Sequence, residues 1–197
     1  MSCQDLLLVG CGILKKEVLY LIEKNHWPME TSLMASGLHC ELDKLERGLR
    51  GSLRKHADRQ TLVFYGCCHP RMDAILSEAH TVRTEGQNCA EMVLGHELFE
   101  RELLEGAFFL FEEWAQKWQR LLVLTFGTNH QGVIREIYQG DRKYLLALRT
   151  PCSSDFRVEA EAAADYVGLP LRWLDVSLDH LEEVLRDAIE RKQAMAG

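Results

Sequence analysis

Residues 5–11 read DLLLVGC and residues 61–68 read TLVFYGCC, two short apolar runs that each end in glycine and cysteine. Two further segments have the same character: Glu30 to Ser36 runs on to His39 and Cys40, and HTVRT at 80–84 runs through a polar loop to Cys89. Short apolar runs separated by amphipathic stretches are the pattern of strands that cross over through helices to the next parallel strand. In such a sheet the carboxyl ends of all strands lie on one edge, so cysteines far apart in sequence reach one rim. Thiolates gathered there suit a soft metal, an iron–sulfur cluster or thiol redox chemistry better than ordinary packing.

Working outward, the periodicity predicts strands at 6–9, 31–35, 61–65 and 80–83 in the first half. Helices are predicted over 13–23, 41–55, 71–77 and 90–99. Leu42, Leu45, Leu49 and Leu53 make an apolar stripe on the second helix, and Pro70 is placed in the first turn of the third, where no amide donor is needed. The second half begins at Gly106. Strands are expected at 107–111, 121–125, 144–148 and 171–174, with helices over 112–119, 131–138, 154–167 and 178–192. Ser153 and Asp155 are candidate caps, and Gly168 with Pro170 stops the helix before the last strand. The reading is a single α/β domain over 1–197, a Rossmann-like layered fold with a mainly parallel sheet and helices on both faces. It divides into a cysteine-bearing half, 1–105, and a second half, 106–197.

Bulk composition narrows the function classes. A chain of 197 residues with 47% hydrophobic content can bury a substantial core. A net charge of −7 argues against a nucleic-acid footprint, which needs a basic face. No stretch is long and apolar enough to span a bilayer, and MSCQDLLLVG lacks the basic start and cleavage site of a signal peptide. Seven cysteines without the spacing of a small secreted scaffold fit a reducing compartment, so the expected location is cytoplasmic.

The candidate site residues follow from strand exits. Cys11 lies in Gly-Cys-Gly between strand and helix, where the glycines allow a tight turn and the helix amino end favours a thiolate. That triplet is only a stub of a dinucleotide fingerprint, since Lys15 stands at the third glycine position. Cys67 and Cys68 are adjacent, so one of them is expected to face the rim. Cys89 begins an amphipathic helix, again a setting expected to lower a thiol pKa. His39, beside Cys40, is a candidate fourth metal ligand. Glu17, His69 and His130 are weaker candidates near the rim, and the aromatic residues Phe108, Phe109, Phe111, Trp114 and Trp118 read as core.

These residues carry a resemblance. Leu38-His39, the Tyr65-Gly66-x-Cys68 turn, Cys89 ahead of Leu94-Gly95, and Gly106 with Phe108, Phe109 and Trp114 together resemble domain-of-unknown-function family 1638, an uncharacterised prokaryotic family, over most of the chain. In that family's pattern a cysteine follows the first strand, a Leu-His pair the second and a Tyr-Gly-x-Cys turn the third, and a His-Asp-Cys triplet precedes a Leu-Gly helix. By position these fall on Cys11, Leu38 and His39, Tyr65, Gly66 and Cys68, and Cys89. The triplet reads Gln87-Asn88-Cys89 here, and a Gly-Thr-Tyr-Tyr-like segment reads Gly106-Ala107-Phe108-Phe109. The resemblance selects Cys68 over Cys67 and leaves Cys40 as a local extra. It also implies, by association with corrinoid-dependent methyltransferases, a place in anaerobic one-carbon metabolism.

Two function classes result. In the first, Cys11, Cys68 and Cys89 bind zinc or an iron–sulfur cluster, with His39, Cys40 or an outside molecule completing the shell. A small molecule or a redox or methyl-transfer protein would be its partner. In the second, the protein is a metal-free thiol redox enzyme or small-molecule-binding module whose helix-start cysteine is the nucleophile. A structural adaptor is the plainest alternative.

Overall fold

The DLLLVGC run forms β1 (Leu6–Cys11), the middle strand of a parallel sheet ordered β2-β1-β3, with β2 at Met29–Met34 and β3 at Gln60–Phe64. The computed structural model describes residues 6–195, so Cys3 lies outside the described residues. Successive β1 side chains point to opposite faces, and both faces are covered. Leu7 and Val9 pack with Leu45, Leu49 and Leu53 of α2 (Leu42–Lys55) and with Ile75 of α3 (Met72–Glu78). Leu6 and Leu8 face a second cluster built with Val18 and Leu21, for which the preceding α1 helix is Lys15–Lys24.

A second parallel sheet, ordered β4-β5-β6, follows in the other half: Ala107–Leu110, Tyr144–Arg149 and Leu171–Asp175. Its helices are α6 (Glu112–Phe126), α7 (Gln131–Asp141) and α8 (Arg157–Val167). On β5 the alternation repeats, with Leu145 and Ala147 packed against Ala160, Ala163 and Ala164 of α8. Tyr144, Leu146 and Leu148 turn the other way and join Leu8 and Phe64 in one cluster. The last helix, α9 (Asp179–Met195), completes that cluster with Leu181, Leu185 and Ala188, none of which is exposed. The two sheets therefore share a central apolar layer. The fold is layered α/β with parallel strands, as expected, arranged among the described residues in two sheets of three strands.

Several local expectations are corrected. Residues 121–125 are not a strand but the last turns of α6, because the helical EEWAQKWQ pattern continues unbroken to a left-handed stop at Gly127 (φ 66°). A short apolar run fits either a buried strand or a buried helix segment, and periodicity alone does not separate them. Residues 80–83 make only one parallel bridge, Val63 to Arg83, before the chain turns away. The helix expected over 90–99 is two helices, α4 (Cys89–Leu94) and α5 (His96–Leu104), broken at Gly95, whose φ of 76° suits glycine. Pro70 precedes the first turn of α3, which starts at Met72, and α8 starts at Arg157 behind Phe156 in the cap position.

A shared central layer predicts that truncating α9's buried face destabilises the whole chain. Leu185→Ala is expected to cost about 2–5 kcal/mol in urea unfolding, in a single transition followed by both far-UV and tryptophan signals. Two separate transitions would contradict the shared layer.

Candidate functional site

Three elements of the first half deliver thiols to one place. Cys11 is the last residue of β1, ahead of a 3-10 turn at Gly12–Leu14. Cys68 follows β3 through Tyr65 and Gly66. There the Cys67 amide donates to the Gln87 carbonyl at 2.8 Å. The approach is so close that a Cβ on Gly66 would lie 2.3 Å from that oxygen, which only glycine avoids. Cys89 opens α4, and its position is fixed by Asn88, whose side-chain oxygen accepts from the amides of Ala90 (2.9 Å) and Glu91 (3.1 Å). The Glu91 carboxylate in turn accepts the Gln87 amide at 2.6 Å and meets His96 Nδ1 at 2.8 Å. Gln87 and Asn88 thus build the turn that presents Cys89.

Cys11, Cys68 and Cys89 line one cavity of about 80 Å³, walled also by Tyr65, His39 and Trp114. Trp114 comes from α6, so the second half closes a site built on the first. Two of these lining residues carry a buried polar atom, the Tyr65 hydroxyl and the Trp114 indole nitrogen, with no hydrogen-bond partner within the protein. Buried donors are ordinarily paired, so a wall with two unpaired ones is suited to a polar guest.

Electrostatics connects the three thiols. Burial pushes Cys11 from its ordinary 9.0 up to about 12, a backbone hydrogen bond at Ile13 opposes this, and the Cys68 charge adds to it. Cys89 is raised well above its usual range by burial and then by Cys11 and Cys68. Cys68 is raised chiefly by burial. The Tyr65 phenol is raised by burial and by the Cys11 and Cys68 charges. The expectation that helix amino ends lower the Cys11 and Cys89 pKa is therefore reversed, because desolvation outweighs the backbone hydrogen bonds. Without a cation these thiols are neutral at physiological pH. Among the described residues, no group of three or more His, Cys, Asp and Glu side chains is arranged to hold a metal ion as it stands.

The remaining candidates lie elsewhere. Cys40 is not among the residues lining the three-thiol cavity and lines a separate apolar one, with His39 and Trp114 on the walls of both. His39 Nδ1 meets the Ser36 carbonyl at 2.6 Å and Nε2 meets Cys40 Sγ at 3.5 Å. Burial opposes ionisation of Cys40, but its hydrogen bonds with His39 and Thr125 outweigh it and lower its pKa. Cys67 is exposed, near the Arg83 guanidinium at 3.4 Å. Glu17 is buried and accepts from Thr150 Oγ1 at 2.7 Å, rather than reaching the thiols or standing in solvent. His69 is buried, with Nδ1 accepting the Arg71 amide at 3.0 Å and Nε2 3.7 Å from Glu46. His130 precedes α7 and accepts the Val133 amide at 3.4 Å. Phe111 is core, whereas Trp114 lines both cavities.

A family model described as "Protein of unknown function (DUF1638)" matches residues 33–185. No curated protein and no solved structure matches the chain. Among the described residues, no helix is long and apolar enough to cross a membrane.

The buried thiols make stability depend on pH. Unfolding exposes Cys11 and lets it lose its proton near 9.0, whereas in the fold it keeps the proton to about 12. Over that interval the unfolded state binds fewer protons, so stability falls as pH rises. Urea midpoints of chelator-treated protein should drop through this range, and the drop should be shallower in Cys11→Ala. Parallel curves for the two proteins would show that Cys11 is not held neutral by burial.

Proposed function

The chain belongs to the DUF1638 family, and we propose from its own geometry that it is a soft-metal-binding protein whose ligands are Cys11, Cys68 and Cys89. The observation that carries the reading is the convergence of three separately delivered cysteines on one cavity whose lining also includes Tyr65 and Trp114, each with an unpaired buried polar atom. Three mutually coupled neutral thiols are a poor nucleophilic centre but a good proton-releasing one, since a bound cation displaces their protons. The three thiols are not arranged to hold an ion as they stand, so the proposed ligation requires these side chains to rearrange on binding.

His39 and Cys40 are left out of the ligand set. Both imidazole nitrogens already have partners, and Cys40 lines the other cavity. Three protein ligands leave one position for an outside molecule. Zinc there would supply Lewis acidity toward a thiol or methyl acceptor, and an iron–sulfur cluster would supply electrons. The Tyr65 hydroxyl and Trp114 N–H are the groups this chain offers to orient such a guest. A cytoplasmic place in corrinoid-linked methyl metabolism, with a small molecule or a redox or methyl-transfer protein as partner, is the setting we propose. The metal-free alternative, with Cys11 or Cys89 as nucleophile, is disfavoured by the raised pKa of both.

The test is metal analysis with an absorption spectrum on protein purified without oxygen. Stoichiometric metal is expected, coloured for iron and colourless for zinc. Cys11→Ser, Cys68→Ser and Cys89→Ser should each lose it, while Cys67→Ser and Cys152→Ser keep it, because serine is a poor soft-metal ligand of nearly the same size. Full retention in the three site variants would reject the proposal.

A further inference from the structure

The second cavity has chemistry of its own. It measures about 250 Å³ and is lined largely by apolar side chains, among them Phe108, Leu110, Trp118 and Val167. His39, Cys40 and Thr125 give it polar lining, together with Trp114 and Tyr138. Those first three groups are organised. The His39 Nδ1–H donates to the Ser36 carbonyl at 2.6 Å, which leaves the Nε2 lone pair facing Cys40 Sγ at 3.5 Å. The Thr125 hydroxyl lies 3.3 Å from the same sulfur and 2.8 Å from the Leu121 carbonyl. Nucleophile, base and a group that orients the base stand in sequence, the arrangement by which a thiol is activated for attack on a carbonyl carbon.

We propose that Cys40 is a second reactive site, a His39-activated thiol that accepts a medium-length acyl chain from a thioester and seats it in the apolar cavity. At about 30 Å³ per non-hydrogen atom the cavity has room for roughly eight of them. A guest with one reactive polar head and an apolar tail matches a lining that is apolar apart from these few groups. In the exchange, His39 Nε2 takes the thiol proton and Cys40 sulfur bonds to the acyl carbon. The bond from that carbon to the donor's sulfur breaks, and the departing thiolate recovers the proton from the imidazolium. No electrons are gained or lost overall. The site stands independently of the three-thiol centre, because metal content and acyl transfer are read separately.

The probe is the full chain incubated with the octanoyl thioester of N-acetylcysteamine, with the acetyl thioester in parallel. Both are followed by intact mass and peptide mapping. One octanoyl group per chain is expected, on Cys40, at a rate exceeding acetyl transfer by about tenfold or more, since only the longer chain fills the cavity. Cys40→Ser should abolish the modification, and Cys67→Ser, which removes an exposed thiol, should leave it. The chain-length preference is measured on the unaltered protein, so it does not depend on any variant folding. Absence of acylation, acyl groups on Cys67 instead of Cys40, or equal rates for the two thioesters would overturn the proposal.

Discussion

The close approach of Gly66 to the Gln87 carbonyl is the constraint on which the site depends. A side chain on residue 66 would meet backbone atoms at 2.3 to 2.7 Å, and backbone cannot move aside as a flexible side chain can. This contact, closed by the Cys67 amide, brings the exit of β3 against the turn that opens α4. Cys68 leaves one side of the contact and Cys89 the other. Cys11 needs no comparable device, because β1 pairs with β3 in parallel and its end arrives at the same edge. The arrangement costs the thiols their ionisation, since the packing that gathers them also strips water from them.

The second half of the chain is as necessary to the site as the first. Trp114 reaches across from α6 to wall the cavity, and the junction around it is tied by charge. Lys16 at the start of α1 meets Glu112 at 2.8 Å and Ser154 Oγ at 2.9 Å, and the Ser154 amide donates to Glu112 at 3.1 Å. Glu112 is mostly buried, and although burial favours its neutral form, Lys16 and Ser154 hold its carboxyl below the usual range. Nearby, Glu17 accepts from Thr150. These bonds link α1 to α6 and to the loop after β5, beside the apolar layer that both sheets share. His39 and Trp114, with ring centroids 5.1 Å apart, form the partition between the two cavities.

Much of this was legible in the sequence. The alternation of apolar run and amphipathic helix locates the six strands of the described residues, and the rule that parallel strands end on one edge brings Cys11, Cys89 and one of Cys67 and Cys68 together, with the family resemblance selecting Cys68. What failed did so for identifiable reasons. Residues 121–125 are as apolar as a strand, and only the continuing helix decides otherwise. The 90–99 helix breaks at a glycine that looks tolerable inside a helical pattern until its positive φ is known. The thiol pKa directions are not legible in the sequence, because helix ends are visible there and desolvation is not. Trp114 and the Tyr65 hydroxyl could not be assigned to the site, since an unpaired buried donor is a property of packing. Asn88 was readable in principle: Asn-x-x-Glu ahead of an apolar run is a capping signal, and it explains why the chain has Asn at that position. The separation of Cys40 from the other thiols lay beyond sequence, because it turns on which way one short 3-10 segment, Ser36–Cys40, presents adjacent side chains.

Closure of three sulfurs from three elements on one ion or cluster, as proposed, is tested by X-ray absorption at the metal edge of protein purified without oxygen. A first shell dominated by sulfur is expected, at about 2.3 Å with three protein sulfurs per ion if the metal is zinc, and that shell should be lost in Cys89→Ser. A first shell of nitrogen and oxygen alone, or a sulfur shell unchanged in Cys89→Ser, would contradict it.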